Sequence, residues 1–408
     1  MDFEYSDEQK QLADSLQKYL AANYGFEARK KTLTSDEGYS PAAWDAFAEM
    51  GLTALPFAEA AGGFGGGAVD MLAAMEAFGE ALVVEPVLDH VALASRLVAS
   101  AGTPAQRDAV LPSLLDGSGK ATFAYLERGR RYALEPVNTV VVKAPVTAGS
   151  GDTPGWQLDG EKIVVIGAAA ADVLVVSAQI SHGPGCPVSG GIGLFLVDRN
   201  AAGVSVSPYR TVDGQRAADV SFKGVILPAA ALLGGPDLVA DSMGVVTNAL
   251  PHIEEAVDFA TALLSADAVG AMKSATDATL EYTQSRKQFG IPIASFQALQ
   301  HRMVNMFMAG EEARSMAISA ACAVDAAANA TEGKTDEAAV NARKKAVSAA
   351  MVRVADCARL VSQESVQLHG GMGMTEEMKV SHTFRRLTML AQRFGDADHH
   401  LARYALMG

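Results

Sequence analysis

Three long segments of helical periodicity near the C-terminal end constrain the fold more than any other feature of this sequence. They cover residues 256–286, 297–328 and 337–367, and each is much longer than the mean helix of a globular protein. Helices gain most of their stability by packing an apolar face against neighbours. Together with a shorter helical segment at residues 396–407, they predict a C-terminal four-helix bundle.

The part of the chain before this bundle predicts two further domains. Ser6 and Gln9 form a capping-box pattern that begins a helix, and helical patterns continue to about residue 120. Short apolar segments bounded by turn residues then follow, which is typical of strands, and Asp159-Gly160 is interpreted as the turn of a β-hairpin. We therefore expect an α+β chain with a helical domain (1–120), a middle antiparallel β-barrel-like domain (121–232) and the helical bundle (233–408).

Composition limits the partners and the compartment. The net charge of −14 makes nucleic acid and anionic membranes unfavourable partners, and no apolar stretch reaches the roughly 18 residues that span a bilayer. Residues 1–5 are acidic and lack the basic start of a signal peptide, so a cytoplasmic protein is expected. The three cysteines are far apart and show no CxxC spacing, so neither a disulfide framework nor a metal site is expected; they are Cys186, Cys322 and Cys357.

Two short motifs follow the long helical segments. The first is Arg286-Lys287-Gln288-Phe289-Gly290, in which Gly290 is expected to end a helix, with Gln297 shortly after it. The second is Gln367-Leu368-His369-Gly370-Gly371-Met372-Gly373. Arginine binds phosphate with a planar fork, and glycine lets the backbone approach a ligand closely. The two motifs are therefore suited to hold a diphosphate and a nucleotide.

In this order, between apolar helices, the motifs resemble the C-terminal half of the acyl-CoA dehydrogenases, a family of FAD enzymes. The resemblance implies that one subunit contributes these residues to the FAD of a neighbouring subunit. The positions that would contact FAD are Arg286, Phe289, Gln297, Gln367, Leu368, His369, Gly370, Gly371 and Asp396. The alternatives from the residues alone are an ordinary helix end for the glycine motif, a surface ion pair for Arg286 and a packing role for His369.

The position of the catalytic base is the clearest departure from the family. Dehydrogenation of an acyl-CoA thioester needs a desolvated carboxylate to remove the weakly acidic α-proton. The resemblance places the family's glutamate at Phe394 or at Ala260, and neither side chain accepts a proton. Asp258 is a nearby acidic candidate, but its register does not match either family position, and a charge near a helix start or a solvated helix face is the favoured interpretation.

The flavin-contacting part of the middle domain also departs from the family. The family loop Thr-Glu-Pro-x-Ala-Gly-Ser-Asp corresponds here to residues 124–131, where only an acidic residue, Glu127, is retained. Val164 and Ile166 replace the Trp and Thr of a second family element, and they offer neither a stacking plane nor a hydroxyl group. A flavin in this chain's own middle domain would therefore lack two of its usual supports.

These departures lead to a hypothesis of shared sites. Residues 26–31, 64–67, 286–290 and 394–396 are similar to the small subunit of pimeloyl-CoA dehydrogenases, which implies an α2β2-type hetero-oligomer whose larger subunit supplies the Glu base. The resemblance further implies an acyl-CoA substrate and electron-transfer flavoprotein as acceptor, with the acyl group (dicarboxylyl, fatty, steroid or bile-acid) left open. The alternatives are a self-sufficient homo-oligomeric enzyme with an atypical base such as Asp258, and a flavin-free scaffold subunit.

Overall fold

The computed structural model describes residues 6–144, 155–181, 189–234, 247–330 and 336–407. Residues 1–5 and Cys186, which entered the predictions above, lie outside this part. Among the described residues no helix has the length and hydropathy that a membrane span requires. Nor do any of them form a group of three or more His, Cys, Asp or Glu side chains that could hold a metal ion.

The N-terminal part is helical, as predicted. Ser6 accepts a hydrogen bond from the Gln9 backbone N–H, and the Gln9 side chain accepts one from the Ser6 N–H, so the predicted capping box begins the first helix. The helices are α1 (Asp7–Asn23), α2 (Phe26–Thr34), α3 (Pro41–Glu49), α4 (Ala68–Ala81), α5 (Arg96–Ala101) and α6 (Pro104–Leu115). A π-helical segment, Asp89–Ser95, leads directly into α5.

The middle part is a curled sheet of eight strands. The strands are β1 (Ala121–Ala124), β2 (Val140–Lys143), β3 (Trp156–Ile166), β4 (Val173–Ser181), β5 (Ser189–Asp198), β6 (Val204–Arg210), β7 (Arg216–Leu227) and β8 (Thr247–Asn248). Their order is β6-β7-β3-β2-β4-β5-β8, with β1 beside β4. Most pairs are antiparallel, but β1 and β2 both run parallel to β4, and β8 runs parallel to β5. The parallel pairs were not expected from the sequence.

The predicted hairpin at Asp159-Gly160 is wrong, because β3 runs through both residues without turning. Its pairing with β7 shifts register between Leu158 and Gly160, and Gly160 has a φ of +148°. A Cβ at Gly160 would lie 2.6 Å from the Thr139 Cα. Gly160 therefore allows a β-bulge in β3 and a close approach of two backbone segments.

Five α-helices follow the sheet in the described residues. They are α7 (Leu250–Ser285), α8 (Gln297–Ala330), α9 (Glu337–His369), α10 (Lys379–Leu390) and α11 (Ala397–Ala405). α7 crosses α4 through glycines at very short range: a Cβ at Gly270 would lie 1.8 Å from the Glu76 carbonyl oxygen, and one at Gly79 would lie 1.9 Å from the Asp267 carbonyl oxygen. The N-terminal helices and the bundle share one apolar core, while the sheet has a second. The domain boundaries near residues 120 and 232 stay predictions.

Candidate functional site

The first motif forms a tight hairpin rather than a helix end. α7 ends at Ser285, and the short strands β9 (Lys287–Gln288) and β10 (Ile291–Pro292) pair antiparallel. Phe289 and Gly290 form the turn, with φ values of +54° and +84°, as a type I′ turn requires. The expectation that Gly290 ends the helix is therefore wrong, and the Phe289 side chain is left 91% exposed.

The second motif lies beside the first because two aromatic rings stack. Tyr282 in the last turn of α7 and His369 at the end of α9 have ring centroids 4.4 Å apart, and His369 Nδ1 donates to the Ser365 carbonyl oxygen at 2.7 Å. The side chains of Leu368 and His369 are buried. At these two positions only backbone atoms remain to contact a cofactor, and the His369 side chain has a packing role.

The remaining motif residues form an open polar surface. Arg286, Gln297 and Gln367 are exposed, and their side chains make no hydrogen bond or ion pair with any residue in the described ranges. Gly370 and Gly371 are also exposed, and a Cβ built on either meets no heavy atom within 4 Å. Unpaired donors beside accessible glycine backbone fit the diphosphate of a nucleotide cofactor. We call these five residues the outer half-site.

A cavity of about 440 Å³ lies where the sheet meets the segment between α10 and α11. Its walls are mainly aromatic and aliphatic, and they include Phe123, Tyr125, Val164, Ile166, Met389 and Phe394. Val164 and Ile166, which lack the stacking plane and hydroxyl of the family, thus face one cavity with Phe394, the family's base position. Ala260 and Asp258 do not line it.

Asp258 has a different role from the one considered in the sequence. Its side chain is 1% exposed and lies between two arginines, with Oδ2 2.9 Å from Arg343 Nε and Oδ1 2.7 Å from Arg403 Nη1. Ala260 is fully buried in the apolar core. Geometry therefore gives Asp258 an ion-pairing role away from the cavity and does not support it as the base.

Two charged residues in the cavity wall were missed in the sequence. Asp89 begins the π-helical segment, and its Oδ1 accepts a hydrogen bond from Arg393 Nη2. Asp89 Oδ2 is buried and has no hydrogen-bond partner among the described residues. Burial raises the pKa of Asp89, although the Arg393 guanidinium acts in the opposite direction. The only sequence signal was the place of Arg393, next to the base position.

Asp396 also lines this cavity. Its Oδ1 accepts from the His399 N–H at 2.8 Å and so caps α11, while its Oδ2 accepts from the Tyr132 hydroxyl at 3.3 Å. The carboxylate thus already has two protein donors. Any contact with a cofactor at this position would add to that capping role.

Glu127, the acid retained from the family loop, holds the loop in place. Its carboxylate is 2.9 Å from Lys162 Nζ and accepts from the N–H groups of Val137, Asn138 and Thr139 at 2.8–3.0 Å. Burial alone would raise the pKa of Glu127, but Lys162 and the backbone donors outweigh it and lower the pKa to about 2. Glu127 stays ionised at neutral pH and serves structure rather than proton transfer.

Comparisons with known proteins match most of the chain to one family. Models of the N-terminal, middle and C-terminal domains of acyl-CoA dehydrogenases match residues 6–118, 135–225 and 250–405. The chain is 26% identical over 407 residues to the short-chain specific acyl-CoA dehydrogenase of Megasphaera elsdenii, covering 94% of both. Its fold is similar to that of the ChsE4-ChsE5 complex from Mycobacterium tuberculosis (TM-score 0.81, 22% identity, 100% and 98% coverage) and the FAD complex of PigA (TM-score 0.81, 21% identity, 100% and 98% coverage).

Proposed function

The chain belongs to the acyl-CoA dehydrogenase family, and we propose that it acts as a subunit of an FAD-dependent hetero-oligomer that dehydrogenates an acyl-CoA thioester. One observation carries the proposal. The outer half-site is open and its side chains have no partner in the described part of the chain, whereas the base position in the chain's own cavity is Phe394, which cannot accept a proton. The chain therefore has what a neighbour's FAD needs and lacks what its own chemistry needs.

FAD, when bound, accepts the hydride from Cβ of the thioester. In this proposal Arg286 holds the diphosphate with its planar fork, and Gln297 and Gln367 donate to the nucleotide. Gly370 and Gly371 let the backbone come within hydrogen-bonding distance of it. The exposed side chain of Phe289 contacts the same FAD in the neighbouring subunit.

A larger partner subunit of the same family supplies the two missing parts, the glutamate base and the middle-domain support for the flavin ring. Exposed apolar side chains in or next to the two motifs support a protein contact there: Phe289, Met372 and Met374. The similar ChsE4-ChsE5 structure is itself a complex of two different chains. By the same family reasoning, electron-transfer flavoprotein is the expected electron acceptor.

A self-sufficient enzyme is the second candidate, and one observation favours it. Asp89 is a carboxylate in the cavity wall with a raised pKa and one unpaired oxygen, so it replaces Asp258 as the atypical base to test. Turnover of acyl-CoA by the flavin-loaded chain alone, abolished in Asp89→Asn, would establish this alternative.

The test is the visible absorption spectrum of the chain purified alone and after co-expression with an acyl-CoA dehydrogenase chain that retains the glutamate. We expect flavin only in the complex, and we expect Arg286→Ala to release it without separating the two subunits. Arg353→Ala is the matched control, because Arg353 is an exposed bundle arginine that already pairs with Glu312. Stoichiometric flavin in the chain alone would refute the hetero-oligomer, and full flavin retention by Arg286→Ala would leave only a scaffold role.

A further inference from the structure

The outer half-site is assembled from three helices, and three side-chain contacts join these helices in pairs. One contact joins α7 to α9, one joins α8 to α9 and one joins α7 to α8. Each lies close in sequence to a residue of the half-site. The contacts are those of Tyr282 with His369, Arg302 with Glu364, and Thr283 with Met303. We call these three contacts the brace.

The brace is needed because the two motifs do not hold each other. In the described ranges, no hydrogen bond or ion pair joins residues 286–297 directly to residues 367–373. The side chains of the half-site are exposed and have no partner in this part of the chain. Their separation is therefore set by the positions of the helix ends that carry them, and a ligand binds more tightly when such groups are already in place.

Tyr282 connects the brace to the arginine of the half-site. Its carbonyl oxygen accepts a hydrogen bond from the Arg286 N–H at 2.8 Å, while its ring stacks on His369 at an angle of 23°. The ring is half-buried, and its hydroxyl group makes no hydrogen bond to any described residue. The contribution of the Tyr282 side chain to the brace is therefore the aromatic stack alone.

His369 connects the brace to the glycines. It directly precedes Gly370, and its ring is buried, so the ring itself cannot reach a cofactor. The Nδ1–H group donates to the Ser365 carbonyl oxygen, whereas Nε2 is buried without a partner in the described ranges. Burial lowers the pKa of His369, although the bond to Ser365 acts in the opposite direction. His369 thus offers Tyr282 a neutral ring in a fixed orientation.

The other two contacts position α8, which begins at Gln297. Arg302 Nε on α8 donates to the carboxylate of Glu364 on α9, and both side chains are partly exposed. Buried Thr283 on α7 donates from Oγ1 to Met303 Sδ on α8 at 3.3 Å. An exposed ion pair contributes little to global stability, so the ion pair acts mainly on the relative position of two helix ends.

We infer that Tyr282 and His369 are positioning residues for FAD, because their stack sets the separation between Arg286 and the glycine backbone of the half-site. The inference rests on the proposed function, since the ligand is the FAD of a neighbouring subunit. Neither ring contacts FAD. From the usual strength of an aromatic pair, Tyr282→Leu should weaken FAD binding about 3-fold to 10-fold. Tyr282→Phe keeps the stack and should retain the wild-type affinity.

The test is the FAD dissociation constant of the co-expressed complex, measured by flavin fluorescence during serial dilution, with each substitution in this chain only. Tyr19→Leu is the matched control. Tyr19 is also half-buried and packs on an aromatic ring, that of Phe47 in the N-terminal helices. Tyr19→Leu should lower the urea midpoint of unfolding and leave the FAD dissociation constant unchanged.

Two double variants separate positioning from direct contact. Tyr282→Leu/His369→Leu should bind FAD no more weakly than the weaker of its two single variants, because either substitution already removes the stack. Arg302→Glu should weaken binding, and Arg302→Glu/Glu364→Arg should restore it. The exchanged pair would not restore binding if Arg302 held the diphosphate itself.

Four results would overturn the inference while the wild-type complex retains flavin. These are an unchanged affinity in Tyr282→Leu, an equal loss in Tyr282→Phe, losses that multiply in the double leucine variant, and an equal loss in Tyr19→Leu. An equal loss in Tyr282→Phe would assign the effect to the hydroxyl group, and one in Tyr19→Leu would assign it to general destabilisation. A wild-type complex without flavin would instead refute the proposed function, and the inference with it.

Discussion

The pair of Glu127 and Lys162 allows a quantitative test of how this chain stabilises the loop beside its cavity. Both side chains are almost completely inaccessible to solvent. Lys162 Nζ contacts the Glu127 carboxylate at 2.9 Å, the Tyr125 carbonyl oxygen at 3.2 Å and Ser177 Oγ at 3.3 Å. Burial lowers the pKa of Lys162 to about 8, although Glu127 acts in the opposite direction. Glu127 therefore provides most of the compensation that the buried ammonium has.

The two single substitutions should differ because the two partners have different remaining contacts. Glu127→Gln leaves a buried ammonium without its counter-charge and turns amide hydrogens toward backbone donors, so the free energy of unfolding should fall by about 3–5 kcal/mol. Lys162→Met leaves the carboxylate with three backbone N–H donors, and backbone donors alone stabilise an ionised carboxylate. We expect a smaller loss of about 1–3 kcal/mol.

The assay is urea unfolding at pH 7, followed by circular dichroism, for the wild type, both single variants and the double variant. The double variant completes a thermodynamic cycle that isolates the coupling between the two side chains. A loss in Lys162→Met equal to or larger than that in Glu127→Gln would refute the reasoning, because it would mean that the backbone donors do not support the carboxylate.

Three further predictions concern the framework around the site. His90 is buried, donates from Nε2 to the Leu114 carbonyl oxygen and accepts at Nδ1 from the Ala121 N–H, and burial lowers its pKa to about 4. The contribution of neutral His90 to the free energy of unfolding is therefore complete above pH 6.5 and is lost as the pH falls toward 4. This contribution is about 3 kcal/mol in total. His90→Gln should therefore flatten the dependence of the unfolding free energy on pH over that range. Gly270→Ala should lower the melting temperature markedly, with a loss of about 3 kcal/mol in the free energy of unfolding. Gly310→Ala is the control: its Cβ would meet nothing within 4 Å, so it should stabilise α8 by up to about 1 kcal/mol. Equal effects of the two substitutions would contradict the close crossing of α4 and α7. Asp325 on α8 accepts from the first two N–H groups of α4 at 2.7 and 3.0 Å, so Asp325→Ala should cost about 1–2 kcal/mol in chemical unfolding, and no change would show that these N–H groups are satisfied elsewhere.

The sequence predicted most of the fold because its strongest signals are local. The expected helices at residues 297–328 and 337–367 match Gln297–Ala330 and Glu337–His369 closely, and the three-part order of helices, sheet and helices is confirmed. The Asp159-Gly160 hairpin failed because a glycine in a bulge and one in a turn leave the same local pattern. Parallel pairing of β1 and β2 with β4 depends on distant segments, so no local pattern indicated it.

The same difference between local and distant signals applies to the candidate site. The residues of the outer half-site could be grouped from the sequence because they lie in or shortly after two short motifs, and their role toward FAD stays a prediction. The ion pair of Asp89 and Arg393 joins residues 304 positions apart, and no spacing in the sequence connects them. Asp258 was considered because it lies near a family position in the chain, but its neighbours in space are Arg343 and Arg403.

The arginines of this chain differ in whether they pair with a carboxylate, and this difference predicts which of them stabilise the fold and which serve assembly. Arg386 is buried and Arg393 is half-buried, and each contacts a buried carboxylate, so removing either leaves an uncompensated charge inside the protein. Arg286 is exposed and has no partner among the described residues, so its removal should leave the free energy of unfolding nearly unchanged. A stability loss in Arg286→Ala comparable to that in Arg386→Ala would mean that Arg286 serves this chain's own fold. Flavin loss without a stability loss would place its role in the neighbouring subunit's site.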